Sequence, residues 1–462
     1  MAKILANDRR RAANGRSPSY QTAVARMYAL GHELAQTPPH KFDLAHMRTL
    51  LGALNRPEQR FPSVLIAGTN GKGSTAATLA SILQASALHT GLYTSPHLVR
   101  INERIRIDGV EIPDDEFALI HDLVERTAER LVGEGELPWH PSFFEMLTAI
   151  AFEYFAQNKV EIAVLEVGMG GRLDATNVVE PRVSVITDIS LDHQKFLGNT
   201  VAEIAREKAG IIRPGGIVVT LPQQPQANDV IGNAILDLEA QGISAVPYVP
   251  PVSPGSANYF DPTRKLCYPL QVMGKQIEVA TPLVGRHQLR NVALAVAAAE
   301  ELSKQGFAVT PESIERGIRQ THWPGRFQVV PARDNFPEYV FDVAHNPAGA
   351  WALRSTLSTY YEDRRLTFVF GAMHDKAIAE MTEILFPLAE RVVATAADNP
   401  RSASAEEIRQ AASRTSTEIE AATDVPSALE RASVLAAPRG VVVITGSIYI
   451  VGEAMRRLGL RV

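Results

Sequence analysis

The sequence predicts an α/β protein whose sheets are mostly parallel. Seven short apolar runs have the composition of buried strands, and segments with helical periodicity separate them. These runs occupy residues 63–68, 162–167, 183–187, 339–343, 366–371, 391–395 and 440–445. Strands that alternate with helices are typical of βαβ units, which form parallel sheets covered by helices.

Two domains are expected from the length of the chain and from one break in the pattern. The chain has 462 residues, and a domain commonly holds about 150. Residues 321–327 place Trp-Pro-Gly between two regions of regular alternation, which restarts beyond them. We therefore expect an N-terminal domain at 1–322 and a smaller C-terminal domain at 323–462.

Local signals mark individual helices and one irregular region. The patterns T-x-x-E at 200–203 and S-x-x-E at 404–407 are capping boxes, which predict helix starts. A helical pattern also fills residues 287–302. Residues 221–282 are rich in Pro, Gln, Asn and Gly around short strand-like pieces, so we expect loops and a peripheral antiparallel element there.

Composition argues against several classes of function. Lys and Arg total 46 against 51 Asp and Glu, which gives a net charge of −5. The sequence also has no long basic run, so we do not expect it to bind nucleic acid. The single cysteine, Cys267, cannot form an intrachain disulfide, which suits a reducing compartment, and we expect it to be a small buried hydrophobe. No apolar segment approaches the ~18 residues of a membrane span. We expect a cytoplasmic, monomeric protein with no nucleic-acid or membrane partner.

A glycine-rich loop, GTNGKGST at residues 68–75, is the strongest local signal. It lies between a predicted strand and a helical pattern, which is the context of a phosphate-binding loop. Backbone N–H groups and the helix N-terminus would surround the phosphate oxygens, while Lys72 reaches the outer phosphates. Gly73 stands where a metal-binding Ser or Thr is usual, so that hydroxyl must come from Ser74, Thr75 or a distant serine. The alternative is an ordinary glycine turn before a helix.

Polar residues follow two other predicted strands. Glu166 ends one apolar run, and Asp192 and His193 follow another. A buried carboxylate is costly unless it is paired or binds a metal, and ligands bind at strand ends in parallel sheets. A carboxylate and an imidazole near a phosphate loop indicate a divalent cation on ATP oxygens. The alternatives are a glutamate that caps a helix and a structural histidine.

Nine motifs in order carry a resemblance that extends from about Tyr20 to Glu453. They are GTNGKGST (68–75), TSPHLVRINERI (94–105), FFEMLTAIAF (143–152), LEVGMGGRLDATN (165–177), LDHQKFLGNT (191–200), EKAGI (207–211), WPGRFQ (323–328), DVAHNP (342–347) and GSIYIVGE (446–453). Together they resemble the folylpolyglutamate synthases and dihydrofolate synthases, a branch of the Mur ligase superfamily of ATP-dependent amide-forming ligases. The resemblance implies a P-loop ATPase domain with a mostly parallel sheet, followed by a smaller Rossmann-like α/β domain, with the active site in the cleft between them.

The same resemblance implies the residues that bind ATP and metal. The ATP-binding residues are Gly71, Lys72, Gly73, Ser74, Asn291, Arg326 and Asp342. The metal ligands are Ser95, Glu166, His193 and Lys208, of which Ser95 supplies the hydroxyl that Gly73 lacks. Catalytic roles are implied for Lys72, His193 and Lys208. The implied cofactors are ATP and Mg²⁺, with K⁺ as an additional candidate.

Lys208 matches a lysine that is carbamylated in the family. A cationic amine beside Mg²⁺ is repelled, whereas a carbamate is a hard anionic oxygen ligand, so the modification would add Lys208 to the metal site. The alternative from the residues alone is an exposed helix lysine paired with Glu203 or Glu207.

The folate-binding residues implied by the resemblance come from three segments. They are Arg104, then Ser142, Phe143, Phe144 and Glu145, then Leu173, Asp174 and Ala175. A further match at residues 42–44 is a weaker candidate. The helical spacing of Phe143, Phe144, Phe152 and Phe155 is equally typical of core packing, and Arg104 could be a solvated arginine in a charged loop.

The implied reaction activates a folate or pteroate carboxylate with ATP as an acyl phosphate, which the amine of L-glutamate then attacks. Three ligase alternatives remain: a bifunctional enzyme that acts on dihydropteroate and on reduced folates, a folylpolyglutamate synthase only, and a Mur-type ligase for another substrate. Outside that class stand a regulatory ATPase, which would release phosphate without an amine acceptor, and a small-molecule kinase, which would yield a stable phosphorylated product.

Overall fold

Two separate sheets organise the fold in a computed structural model, which describes residues 19–31, 43–251, 265–333, 336–436 and 440–460. The strands of the first sheet are β1 (Ser63–Ala67), β2 (Thr90–Tyr93), β3 (Ile105–Ile107), β4 (Val110–Glu111), β5 (Ile162–Glu166), β6 (Val183–Ile186), β7 (Ile217–Thr220) and β8 (Gln241–Ser244). Their order is β4-β3-β2-β5-β1-β6-β7-β8. The sheet is parallel from β2 to β8, and β3 and β4 form an antiparallel edge.

The second sheet uses only residues beyond 327. Between the sheets in sequence lies an antiparallel pair, β9 (Leu266–Val272) and β10 (Lys275–Thr281). The strands of the second sheet are β11 (Gln328–Val330), β12 (Glu338–Phe341), β13 (Leu366–Phe370), β14 (Arg391–Ala394), β15 (Ile419–Ala421) and β16 (Val441–Thr445). Their order is β11-β12-β16-β13-β14-β15, parallel except for β11. The predicted α/β class with mostly parallel sheets is confirmed, and all seven predicted runs are strands.

Helices alternate with these strands along the chain. They are α1 (Tyr20–Ala29), α2 (Leu44–Ala53), α3 (Lys72–Ala85), α4 (Asp114–Gly133), α5 (Phe143–Gln157), α6 (Gln194–Leu197), α7 (Val201–Ala209), α8 (Pro225–Asp237), α9 (Arg286–Lys304), α10 (Pro311–Gln320), α11 (Pro347–Tyr360), α12 (Ile378–Leu385), α13 (Ala405–Ala411), α14 (Val425–Ala436) and α15 (Ile448–Arg457). Both predicted capping boxes are present, because Thr200 and Ser404 accept hydrogen bonds from the backbone of Glu203 and Glu407. No helix in the described ranges is both long and apolar enough to cross a membrane.

Each sheet is covered on both faces, which explains the unbroken apolar runs. In β1, Leu65 and Ala67 belong to one hydrophobic core, whereas Val64 and Ile66 belong to another. Successive side chains of a strand point to opposite faces, so every residue of a central strand is buried when helices cover both sides. Because helices pack on both faces, the ends of the central strands are held in place, and so are the polar residues that follow these strands.

The expectation for residues 221–282 is partly wrong. The antiparallel element is present as β9 and β10, but residues 225–244 form α8 and β8 and continue the βαβ alternation instead of looping. Ala227 and Ile231 are four positions apart and bury one face of α8 in the core. Val230, Ala234 and Ile235 are partly buried against the same core, so an apolar face holds this helix although polar residues separate its members.

Candidate active site

The ends of β1, β5 and β6 open into one cavity of about 700 Å³ that also reaches the second sheet. Most of the predicted site residues line it: Gly71, Lys72, Gly73, Ser74, Ser95, Ser142, Phe143, Phe144, Glu145, Glu166, Leu173, Asp174, Ala175, His193, Lys208, Asn291, Arg326 and Asp342. Arg104 is not among the lining residues. It is buried, donates a hydrogen bond from Nε to Nδ1 of His97 at 2.8 Å, and lies 5.4 Å from the ring of Phe143.

The glycine-rich loop needs its glycines because other side chains pack onto it. Gly71 has a φ of 90°, and a Cβ there would lie 2.1 Å from Oδ1 of Asn291. A Cβ on Gly73 would lie 2.8 Å from the ring of Trp323. The tryptophan that follows the predicted domain boundary therefore occupies the space that a side chain at 73 would need, which gives a physical reason for glycine there.

Lys72 begins α3 and extends over the loop. Its Nζ donates a hydrogen bond to the carbonyl of Thr69 at 3.3 Å. The 14-residue helix behind it points its N-terminus at the cavity, and free N–H groups and the helix dipole both favour an anion there. Lys72 and the loop amides together form a site for a phosphate group.

Glu166 is a buried carboxylate at the end of β5. Its Oε2 accepts a hydrogen bond from the backbone N–H of Ser95 at 3.2 Å, which brings these two predicted metal ligands together. Burial raises the pKa of Glu166, although the charges of Lys72 and Arg326 oppose that rise. A carboxylate that is buried with so little compensation is favourably placed to receive a cation.

His193 occupies the start of α6 with a left-handed backbone, at a φ of 51°. Burial lowers its pKa to about 4 against the opposing charge of Asp192, and the charges of Lys376 and His345 lower it further. The imidazole is therefore neutral at physiological pH, and neutral imidazole is the form that binds metals.

The donor set fits a magnesium ion held jointly by protein and nucleotide. Among the described residues, no group of three His, Cys, Asp or Glu side chains is disposed to hold a metal by itself. Mg²⁺ is usually bound by one or two carboxylates together with substrate phosphates and water. Glu166 and the hydroxyl of Ser95, next to the phosphate loop, match that arrangement, so the residues present fit Mg²⁺ bound with ATP.

Lys208 is buried rather than exposed, so the alternative of an exposed helix lysine is wrong. Its Nζ donates a hydrogen bond to the carbonyl of Gly68 at 2.7 Å. Burial lowers its pKa to about 7, and the charge of Lys72 adds to this effect while Asp192 and Asp174 oppose it. An amine with such a pKa is substantially neutral near pH 7.5, which is the form that reacts with CO₂.

Arg326 and Asp342 bring the second sheet to the same cavity. Arg326 donates a hydrogen bond to the carbonyl of Pro324 at 3.0 Å and lies 5.4 Å from the ring of Trp323. The Asp342 carboxylate accepts hydrogen bonds from the backbone N–H groups of Phe327 and Ala344, both at 2.9 Å. Burial raises the pKa of Asp342 to about 6.

The predicted folate residues form the other end of the cavity. Ser142 and Glu145 make a reciprocal capping box at the start of α5, so their polar atoms are largely engaged with each other. Phe143 and Phe144 follow this cap and line the cavity, but Phe143 is only 3% exposed and also belongs to the core that contains the fully buried Phe152 and Phe155.

The second folate segment is built on Asp174, which accepts hydrogen bonds from the backbone N–H groups of Met169 and Thr176, both at 3.0 Å. These bonds fix the turn that presents Leu173 and Ala175 to the cavity. Of the candidate match at 42–44, Asp43 and Leu44 lie within the described residues, and both line the cavity. Residues 32–42 lie outside the described ranges.

Sequence reasoning singled out Asp192 but missed the polar cluster through which it joins the two sheets. Lys376 and Asp192 form an ion pair of 2.6 Å, with both side chains 8% exposed. The Nδ2 of Asn346 donates hydrogen bonds to Oδ2 of Asp192 at 3.1 Å and to Oδ1 of Asn70 at 3.0 Å. Each of these residues follows a strand, which is the one signal that could have suggested them.

Of the histidines outside the predicted site, His345 and His287 line the cavity, and burial lowers the pKa of each to about 4. His374 does not line it: its side chain is half exposed and lies 3.3 Å from Glu407.

Comparison with known proteins identifies the class first. Residues 144–299 match the Mur ligase middle domain, and residues 325–448 match the glutamate ligase domain of Mur ligases. The dihydrofolate synthase/folylpolyglutamate synthase of Bacillus subtilis is 34% identical over 90% of this chain and 94% of its own length. The enzyme of the same description from Mycobacterium tuberculosis is 33% identical, with 94% of each chain covered.

Solved structures agree with this assignment. Folylpolyglutamate synthase of M. tuberculosis, complexed with ADP and AMPPCP, has a TM-score of 0.82 at 32% identity and covers 95% of this chain and 99% of its own. FolC of Escherichia coli, in complex with DHPP and ADP, has a TM-score of 0.80 at 29% identity and covers 96% and 99%. The chain belongs to the dihydrofolate synthase/folylpolyglutamate synthase family, within the Mur ligase superfamily, and the sequence-based recognition is confirmed.

Proposed function

We propose that the protein is an ATP-dependent ligase that adds L-glutamate both to dihydropteroate and to reduced folates. The observation that carries the proposal is the cavity, which joins a phosphate loop and a buried carboxylate to the rings of Phe143 and Phe144. A regulatory ATPase would need only the first part of it. The relatives from B. subtilis and M. tuberculosis are named for both activities, which supports the bifunctional form.

The reaction begins when a carboxylate oxygen of the folate or pteroate attacks the γ-phosphorus of ATP. The bond to the bridging oxygen breaks and ADP leaves, which gives an acyl phosphate. The amine of L-glutamate then attacks the acyl carbon, loses a proton and expels inorganic phosphate. Activation is needed because hydroxide is a poor leaving group and phosphate is a good one.

The protein contributes charge, position and exclusion of water. Lys72 and the loop amides stabilise negative charge on the transferring phosphoryl group. Arg326 and Asp342 hold the nucleotide from the second sheet, and closure over it keeps water from the acyl phosphate. Ser95, Glu166, His193 and a carbamate on Lys208 would hold Mg²⁺, which would supply positive charge next to the phosphates.

We also propose where the two domains divide, and in what state and location the protein acts. We propose the boundary between the two domains at 322/323, which lies between the end of α10 at Gln320 and the start of the second sheet at Gln328. We expect the protein to act as a monomer in the cytoplasm, on ATP, L-glutamate and a folate, without nucleic acid or membrane.

Phosphate release by the purified protein tests the function. The assay contains ATP, Mg²⁺ and L-glutamate with either 7,8-dihydropteroate or tetrahydrofolate, and product masses report one added glutamyl unit. Activity with both substrates is expected. Activity with tetrahydrofolate alone would reduce the protein to a polyglutamate synthase, activity with neither would point to another Mur-type ligase, and glutamate-independent phosphate release would indicate a regulatory ATPase.

Carbamylation of Lys208 makes a separate prediction. The neutral amine forms a bond to CO₂ and releases one proton, so the modification should decline as the pH falls below about 7. We expect Lys208→Ala and Lys208→Arg to lose about 10²-fold or more in ligation rate, since neither can carry the anionic ligand. With ¹³C-labelled bicarbonate, a carbamate carbon signal should appear in the parent protein and be absent from both variants. Unchanged activity and metal dependence in Lys208→Ala would refute the role.

A further inference from the structure

His46 lies on α2 and connects this helix to α5. The two helices meet at the end of the cavity that Phe143 and Phe144 line, the aromatic end. Its Nδ1 lies 3.0 Å from Oε1 of Glu145, and its Nε2 lies 3.0 Å from the carbonyl oxygen of Trp139. The ring also stacks on Trp139, at 5.5 Å between centroids and 24° between planes. Only 7% of the residue is exposed.

Both partners of the ring are hydrogen-bond acceptors. A peptide carbonyl cannot donate, and Glu145 at the start of α5 is favoured as an anion by the N-terminus of that helix. An imidazole can donate from both nitrogens only when it is protonated. The geometry therefore selects an imidazolium paired with a carboxylate.

The electrostatics agree with this pairing. Burial lowers the pKa of His46, but the hydrogen bond and charge of Glu145 outweigh it, so the pKa is raised above the usual value. Burial likewise raises the pKa of Glu145, and its bonds to His46 and Ser142 more than reverse this effect. The charged groups that face the ring are Glu145 on α5 and Asp43 at the start of its own helix.

The pairing fixes the two elements that form this end of the cavity. Glu145 belongs to the cap of α5, and the next cavity-lining rings, Phe143 and Phe144, are part of the same turn. The ring of Phe144 packs directly on Gly168, since a Cβ at that position would lie 2.5 Å from the ring. From the other side, the helix of His46 contributes Leu44 and Met47 to the lining.

The segment between α4 and α5 has a second attachment next to the first. His140 lies with Nε2 3.4 Å from Oε2 of Glu125 on α4, and its Nδ1 is 2.9 Å from the carbonyl oxygen of Pro141. The nearby carboxylate of Glu125 raises the pKa of His140, whereas burial opposes this rise. Glu129 and His121 are the other titratable groups nearby.

We propose that His46, as an imidazolium, is a positioning residue that holds α2 and the cap of α5 in the arrangement that binds the folate. This inference rests on the proposed function, because it assigns the pterin to the aromatic end of the cavity. His46 touches no reacting atom, so its loss should weaken folate binding without slowing the chemical steps.

The test compares the KM for the folate substrate in the parent and in His46→Gln between pH 6 and pH 9. A histidine with a raised pKa makes its full contribution below the ordinary pKa of about 6.5 and loses it as the pH rises through the raised value. Near pH 6, the KM of His46→Gln should therefore be about ten times that of the parent. Near pH 9, the two KM values should become equal. Titrations shared by both proteins, including that of His140, cancel in the ratio of the two KM values, and kcat should stay within about twofold.

His46→Arg is the matched variant, because it keeps a cation at all pH values. Its KM should follow the parent at low pH and stay low at high pH, where the parent weakens. Histidine NMR of the parent gives a direct pKa for His46, whether or not a variant folds well. Turnover with a KM ratio that is independent of pH, or an NMR pKa below 6.5, would overturn this inference alone. Absence of folate-dependent turnover in the parent would overturn the proposed function and the inference with it.

Discussion

Replacing Lys72 by methionine is expected to reduce kcat/KM for ligation about 10²-fold or more. The variant keeps most of the side-chain volume but removes the charge that the phosphate loop presents to the nucleotide. The loss is compounded because the charge of Lys72 also helps to lower the pKa of Lys208 and of His193. Without it, Lys208 is protonated to a greater extent at neutral pH and is a poorer acceptor for CO₂.

Steady-state phosphate release, with product masses as a check, measures this effect. Lys159→Met is the matched control, since Lys159 is exposed on the turn after α5 and does not line the cavity. The control should retain the parent rate. A Lys72→Met enzyme that folds normally and stays within threefold of the parent would show that the loop amides alone carry phosphate binding.

The elements that the sequence predicts correctly depend on local signals. Strands β1, β5 and β6 are unbroken apolar runs because helices cover both faces, and that burial leaves a continuous trace in the sequence. The phosphate loop is equally local, since its glycines, lysine and following helix are consecutive. The ATP-binding role of Asn291 is different, because no local pattern indicates it and only the resemblance to the family implies it.

What the sequence does not reveal depends on contacts between distant positions. The fit of Trp323 against Gly73 explains an unusual loop, but nothing near either residue announces it. His46 and Glu145 are 99 positions apart, and their pairing follows only from how α2 packs beside α5. A histidine or a glutamate on an amphipathic helix has no sequence feature that specifies its partner.

The ion pair between Lys376 and Asp192 is the strongest such case, because its members are 184 positions apart and belong to different sheets. Lys376→Met is expected to reduce kcat/KM for ligation at least tenfold. Breaking a buried pair by removing one partner commonly costs ~3–5 kcal/mol, since the remaining charge is left without compensation. Here that cost falls on the arrangement in which the two sheets meet, so we expect arrangements with the two sheets farther apart to gain population.

A cleft that closes less completely should also let water reach the acyl phosphate. We therefore expect the ratio of phosphate released to glutamyl product formed to rise above one in Lys376→Met, while it stays at one in the parent. Arg431→Met removes an ion pair between α14 and Glu420 on β15, where the arginine side chain is 48% exposed. Such surface pairs contribute about 0–1 kcal/mol, so this control should leave both rate and ratio unchanged.

A double-mutant cycle separates the pair from its individual members. In Asp192→Asn with Lys376→Met, no uncompensated charge remains, so part of the loss seen in Lys376→Met should be recovered in the double variant. Coupled neighbours typically show interaction energies of about 0.5–3 kcal/mol. Strictly additive losses would mean that Lys376 acts on a substrate rather than on Asp192. Recovery in the double variant would show that Lys376 acts through Asp192, as one of the contacts that hold the two sheets together.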